Sequence, residues 1–81
     1  MTQADLYDWL LTQGVREPAV LMMGERCICG RWEQIGEQLP SGYMMRSGRL
    51  AVQVLGEGAT WRDAKNAAKV RLLYVPPDAP R

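Results

Sequence analysis

A hairpin pattern near the middle of the chain constrains the fold more than any other feature of the sequence. Tyr43 to Arg46 and Arg49 to Leu55 flank Ser47-Gly48, a two-residue connection of the kind that closes a β-hairpin. Apolar side chains recur at every second residue from Leu50 to Val54, which is the period of a strand with one apolar face. The pattern predicts a hairpin with that face turned inward, and it excludes an all-helical fold.

A helix is predicted before this hairpin. Thr2 followed three residues later by Asp5 is typical of a helix N-cap, and Leu6 and Leu10 then recur at helical spacing until Gly14 can end the helix. We therefore predict a helix over residues 3–13.

A second helix is predicted after the hairpin. Thr60 and Asp63 repeat the N-cap spacing, and the helix is expected to run to about Leu73, ahead of Pro76 and Pro77.

The region between the first helix and the hairpin is less regular. Residues 25–32 alternate in a way that suits a strand better than a helix. Val15 to Met23 contains Pro18 and a short apolar run, so that a strand and a short helix are both open there. Trp32 to Leu39 fits one helical turn or a loop, and a break follows at Pro40 to Gly42.

These elements predict an α+β fold in which a small three-stranded antiparallel sheet packs against an N-terminal and a C-terminal helix, in the order α-β-β-β-α. The 81 residues are enough for one core and not for two. We expect a single domain over residues 1–75 and an exposed, Pro-rich tail over 76–81. The stability margin of so small a domain is thin, which leaves dimerisation open.

The net charge and the hydropathy of the chain indicate where the protein is located in the cell and what kind of partner it binds. The net charge is only +1, so that any site for a polyanion must be local. The N-terminus is acidic where a secretory leader is basic, and no apolar run approaches the ~18 residues that a membrane span needs. We expect a cytoplasmic protein with no membrane partner.

Residues 56–68, Gly-Glu-Gly-Ala-Thr-Trp-Arg-Asp-Ala-Lys-Asn-Ala-Ala, carry a family resemblance. The segment resembles the G-x-G-x-S-K-K-x-A-K-x-x-A-A signature of the double-stranded-RNA-binding domain. The resemblance implies a fold of one helix, a three-stranded antiparallel sheet and a second helix, with duplex phosphates bound at the start of the second helix. Trp61 stands where the family has its first signature lysine. Asp8 matches a groove-contacting glutamate of the family, and the first helix is expected to supply a weaker second contact through Gln13 or Asp8.

The same helix has a direct physical interpretation. Arg62, Lys65 and Lys69 fall on one face at helical spacing, and the first turn of a helix presents free N–H groups to an anion. These three residues are the candidate nucleic-acid contacts. Trp61 beside Arg62 has the composition of a protein-interface hot spot, so these two are the candidate partner contacts. A capped surface helix with a solvated charged face has the same pattern.

The sequence gives little support for a metal site or for an active site. Cys27 and Cys29 have neither a second cysteine pair nor a histidine to complete a zinc site, and buried free thiols on one face of a strand are the expected alternative. The sequence shows no nucleophile with a neighbouring base and no phosphate loop. We expect no enzyme and no cofactor.

Two functions therefore remain. The first is a protein-interaction or modulator module, which binds another protein or a second copy of itself. The second is a duplex-RNA-binding domain that uses the start of the C-terminal helix.

Overall fold

A computed structural model describes residues 1–36, 38–47 and 49–73, without the side chains of 45–47. The elements follow the order α1 (Gln3–Thr12), β1 (Pro18–Met23), β2 (Arg26–Gln34), β3 (Tyr43–Ser47), β4 (Leu50–Gly58) and α2 (Trp61–Leu73). The strands form one antiparallel sheet in the order β1-β2-β4-β3.

Local side-chain bonds begin and end α1 where the sequence predicts. Thr2 and Asp5 form a reciprocal capping box, in which each side chain accepts from the backbone N–H of the other residue. Gly14 has φ +84° and its N–H bonds to the Leu11 carbonyl, so the helix ends in the left-handed conformation that glycine adopts without strain. Leu6 is one of the residues that α1 buries completely.

The start of α2 is capped in a similar way, because Thr60 Oγ1 accepts from the Asp63 N–H at 3.1 Å. Its inner face is made of the small side chains Ala64 and Ala68, both fully buried. They allow α2 to lie very close to β4. A Cβ built on Gly56 of β4 would be 2.2 Å from the Ala64 carbonyl oxygen and 2.5 Å from the Ala68 nitrogen.

A β-bulge interrupts the pairing of the two central strands. Cys29 pairs with Gly56 and Gly30 pairs with Val54, which leaves Leu55 as the extra residue of β4. The bulge brings the β4 backbone close to Gly30, where an added Cβ would lie 1.9 Å from the Gln53 carbonyl oxygen.

The two faces of the sheet have different surroundings. Cys27 and Cys29 of β2 pack with Leu6 of α1 and Ala64 of α2, so both helices lie on this face. We call it the helix face. Alternation along the strands directs Ile28 to the other face, which no helix of the described residues covers. We call this the open face.

The α+β class, the antiparallel sheet and the helix at each end are confirmed. The sheet has four strands and not three, because Pro18–Met23 forms strand β1 where the sequence left a strand and a short helix open. After Gln34 the chain continues without helix, so the described part of Trp32 to Leu39 is strand followed by loop. Gly48 and the tail from residue 74 onward lie outside the described residues.

The hairpin face that was expected to turn inward is buried at Val52, half-buried at Val54 and exposed at Leu50. Leu50, Val52 and Val54 do share one face, but it is the open face and not the one packed against the helices. On the helix face β4 instead presents Leu55 and the two glycines Gly56 and Gly58, against which α2 lies. The pairing register with β2 determines which face of the sheet these three residues occupy. The alternation of apolar residues along β4 does not determine it.

Candidate functional site

The cationic row of α2 is present, but its three members differ in environment. Arg62 and Lys69 are exposed, whereas Lys65 is half-buried and its ammonium lies 5.3 Å from the centre of the Trp9 ring. That distance is within the range of a cation–π interaction. Lys65 therefore helps to join α2 to α1, and two of the three predicted contacts, Arg62 and Lys69, project from the helix surface.

Trp61 is less available than an exposed interface anchor would be. It is half-buried and packs against the core cluster under the helices. Its remaining surface lines a shallow depression of about 520 Å³ together with Met22, Thr60 and Arg62. The ring thus supports the start of α2 structurally, and only one edge of it can meet a partner.

Both thiols are buried on the helix face, as expected for structural cysteines. Burial raises the pKa of the Cys29 thiol to about 11, and its Sγ donates to the Ala64 carbonyl at 3.6 Å. Cys27 Sγ makes the same kind of contact, at 3.8 Å, with the Ala59 carbonyl. A protonated and buried thiol is a poor nucleophile, so these residues join the sheet to the α2 segment. Among the residues that the structure describes, no group of three or more metal-ligating side chains occurs.

A polar cluster occupies the helix face at the end where β3 joins the sheet. Arg31 forms an ion pair with Glu33 at 2.5 Å and donates to the Gln53 side-chain oxygen at 2.6 Å. Tyr43 donates its hydroxyl proton to Glu33, and this hydrogen bond raises the pKa of Tyr43. These groups are bonded to one another across three strands. The cluster therefore stabilises the pairing of these strands.

The open face carries apolar side chains on all four strands, and no helix of the described residues covers it. Its centre is formed by Ala19, Ile28 and Val52, which are 1%, 4% and 0% exposed. The surrounding members of the face are half-buried or exposed: Leu21, Trp32, Met44, Leu50 and Val54. Leu50, at 46%, is the most exposed of these. The apolar area continues across all four strands.

One ion pair lies at the margin of the open face. Arg26 lies two residues before Ile28 on β2, Glu57 is the partner of Ile28 on β4, and the charged atoms of Arg26 and Glu57 are 3.8 Å apart. Both side chains are more than half exposed, so the pair is loose and solvated. The pair thus places one positive and one negative charge beside the apolar centre.

Trp32 marks a depression at the margin of the open face. The depression has a volume of about 560 Å³ and is lined by Tyr7, Glu17, Pro18, Trp32 and Leu50. Glu17 has φ +51°, a left-handed conformation that costs energy for a residue other than glycine. The Glu17 carbonyl accepts from the Trp32 N–H at 3.0 Å and is held there by that bond. Aromatic rings around a shallow pocket are typical of an interface anchor site.

The outer edge of the sheet at β1 is protected. Pro18 has no N–H to offer to another strand, and the Gln3 side chain donates to the Val20 carbonyl at 2.5 Å. Addition of a further strand at the β1 edge is therefore disfavoured.

A second apolar area lies between α2 and β4. A groove of about 610 Å³ has Val54 and Leu55 on its sheet side and Ala67, Val70 and Arg71 on its helix side. Val70 is 72% exposed. The groove is narrower than the open face and lies along one helix.

In comparisons with known proteins, no family model, no curated protein and no solved structure matches the chain. None of the helices described is both long and apolar enough to cross a membrane.

The sequence alone does not identify the open face as a site. The signal is present, because Ile28 and Trp32 alternate in one strand as Leu50, Val52 and Val54 do in another. Alternation shows that a face is apolar but not which layer covers it, so the same pattern equally predicts a core face.

Proposed function

We propose that this chain is a small non-enzymatic binding module whose partner is a protein and whose binding surface is the open face. The observation that carries the proposal is the apolar area that runs across all four strands of the sheet and has no covering helix in the described residues. Partly exposed apolar side chains that lie side by side, as Leu21, Trp32 and Leu50 do on this face, are typical of interaction surfaces.

The chemistry of the open face supports a protein partner over a nucleic acid. Removing apolar surface from water stabilises a complex by about 25 cal/mol per Å². Phosphates instead require clustered positive charge, and Arg26 at this margin already has Glu57 beside it. Trp32, in its shallow depression, supplies the kind of aromatic anchor that dominates the energy of protein interfaces.

Duplex RNA binding is a second candidate, favoured by one observation. Arg62 and Lys69 are exposed on the outer side of α2, in the segment that resembles the double-stranded-RNA-binding domain. In this alternative Arg62, Lys65 and Lys69 neutralise phosphates, as that resemblance implies. The row lies on α2, across the sheet from the open face, so substitutions can test the two sites separately.

The cytoplasm is the location that we propose for either activity. Cys27 and Cys29 are free thiols, which suits a reducing compartment.

A photo-crosslinking experiment tests the site. The amino acid p-benzoylphenylalanine replaces Leu50 on the open face in one variant and Val70 on α2 in a matched variant, because both are exposed aliphatic residues. Irradiation is carried out on the purified protein and in extract of the cells that make it. We expect protein photoproducts from position 50 and none from position 70.

Photoproducts from position 70 alone, or from neither position, would contradict the proposed site. A parallel titration with a ~20 bp RNA duplex at two salt concentrations tests the second candidate. Duplex affinity that falls steeply with salt and is lost in the double variant Arg62→Ala, Lys65→Ala would establish RNA binding instead.

A further inference from the structure

We propose that the depression beside Trp32 binds an arginine side chain of the protein partner. The flat guanidinium group stacks on the Trp32 ring and pairs with the Glu17 carboxylate. This inference rests on the proposed function, because it names the chemical group that the partner inserts at the margin of the open face.

The lining of the depression combines aromatic rings with a carboxylate. It includes Tyr7 and Trp32, the apolar residues Pro18 and Leu50, and the acidic residue Glu17. Tyr7 is 42% exposed and Trp32 is half-buried, so both side chains offer surface to a ligand. The faces of aromatic rings attract cations, and a carboxylate attracts them by its full charge. The lining therefore favours a positively charged ligand with a flat or apolar body.

The Glu17 carboxylate is available to such a ligand. Glu17 is exposed, and no ion pair or side-chain hydrogen bond among the described residues includes it. Arg16 and Arg49 are neighbours in sequence of residues that line the depression, but neither of them lines it. A cation that enters the depression thus meets a carboxylate that has no partner of its own in the described part of the chain.

The backbone holds this carboxylate close to the indole ring. The Trp32 N–H donates to the Glu17 carbonyl at 3.0 Å, so the two residues lie opposite each other where β1 begins beside β2. Glu17 has φ +51°, a conformation that glycine adopts with less strain. Backbone strain of this kind clusters at functional sites. A glutamate at this position costs stability and supplies a negative charge beside Trp32, and a binding role explains that combination.

The geometry of the two groups favours arginine over other cations. A guanidinium group is planar, stacks on aromatic faces, and presents its N–H donors in a fork that matches a carboxylate. It can therefore contact Trp32 with its face and Glu17 with its edge. The ammonium group of lysine is a compact point charge without a flat face. A quaternary ammonium has no N–H donor for the carboxylate.

An NMR titration of the full chain with Nα-acetyl-arginine amide tests the inference. The indole N–H of Trp32 and the ring of Tyr7 should shift in a saturable way, while the indoles of Trp9 and Trp61, which line other depressions, should not. The dissociation constant should be of the order of tens of millimolar, because one exposed ion pair and one stacked ring contribute little energy. Nα-acetyl-lysine amide and tetramethylammonium, at matched ionic strength, should each bind at least about threefold more weakly.

Substitutions identify the two contacts. Glu17→Gln and Trp32→Leu should each raise the dissociation constant for the arginine amide at least about threefold. The matched control is Glu25→Gln, which changes an exposed glutamate in a turn outside the depression and should leave the constant unchanged.

Glu17→Gly separates a binding role from a structural one. It removes the carboxylate and relieves the left-handed strain, so arginine binding should weaken while Tm rises by a few degrees. A glutamate that serves only the fold would instead give a lower Tm and unchanged binding.

Three outcomes would overturn the inference: no saturable shift of Trp32, equal affinity in Glu17→Gln and the wild type, and tetramethylammonium binding as tightly as the arginine amide. Failure of the proposed function is distinguishable. If position 50 crosslinks to a protein partner with equal yield in the wild-type and Glu17→Gln backgrounds, only the inference fails. If position 50 gives no protein product, both fail, whatever the arginine amide does.

Discussion

Substitution of Gly56 by alanine is the sharpest test of how α2 lies on the sheet. An alanine Cβ at this position would be 2.2 Å from the Ala64 carbonyl oxygen, and ordinary contact begins at 3.4 Å, so α2 would have to move by about 1.2 Å. Both of the closest atoms belong to the helix backbone, which cannot rotate away as a side chain could. The free energy of unfolding should fall by about 3 kcal/mol, the upper end for overpacking.

Thermal and urea denaturation followed by circular dichroism measure this effect. In a domain of this size a loss of about 3 kcal/mol lowers Tm by roughly 12 °C or more. Gly36→Ala is the matched control, because no atom lies within 4 Å of its added Cβ and its backbone is not left-handed. It should be neutral or slightly stabilising. If Gly56→Ala melts as Gly36→Ala does, the close approach of α2 to β4 is wrong.

Three further predictions follow from burial and contact. Burial raises the pKa of Cys29 from its ordinary 9.0 to about 11, so the stability that the protonated thiol contributes is complete below pH 9 and is lost as pH rises towards 11. Urea melts should show this decline, and Cys29→Ala should reduce it. Val52→Asp should lower the free energy of unfolding by several kcal/mol and Leu50→Asp by far less, because only Val52 is fully buried, and equal losses in urea melts would contradict this difference in burial. Lys65→Ala should cost about 0.5–1 kcal/mol through the lost contact with Trp9, and a Trp9→Leu background should abolish that loss in a double-mutant cycle.

The parts of the fold that local chemistry determines could be predicted from the sequence. The capping box at Thr2 and Asp5, the left-handed Gly14 and the cap at Thr60 all depend on residues within one helical turn, and the structure confirms each. Strand β1 was left open, because a short apolar run after Pro18 has no decisive period.

The candidate site was harder to predict because it depends on pairing between distant residues. The Leu50 to Val54 alternation shows an apolar face, but the bulge after Cys29 and the glycine at position 56 determine that α2 lies on the opposite side. Trp61 likewise fits an exposed anchor by sequence, and its packing against the core becomes visible only when α1 and β2 are in place.

The strand order has a consequence for folding. β4 is the last strand in the chain, yet it lies between β2 and β3 and pairs with both. During synthesis, Cys27 of β2 can pair with Gly58 only after thirty-one further residues have been added. Until then β2 and β3 lack β4, the strand with which both of them pair. The β3–β4 hairpin can close early because its contacts are local, and β2 must then find the free side of β4 across a long loop. We therefore expect a nascent chain that lacks β4 to hold little of the sheet, and the finished domain to unfold in a single cooperative step.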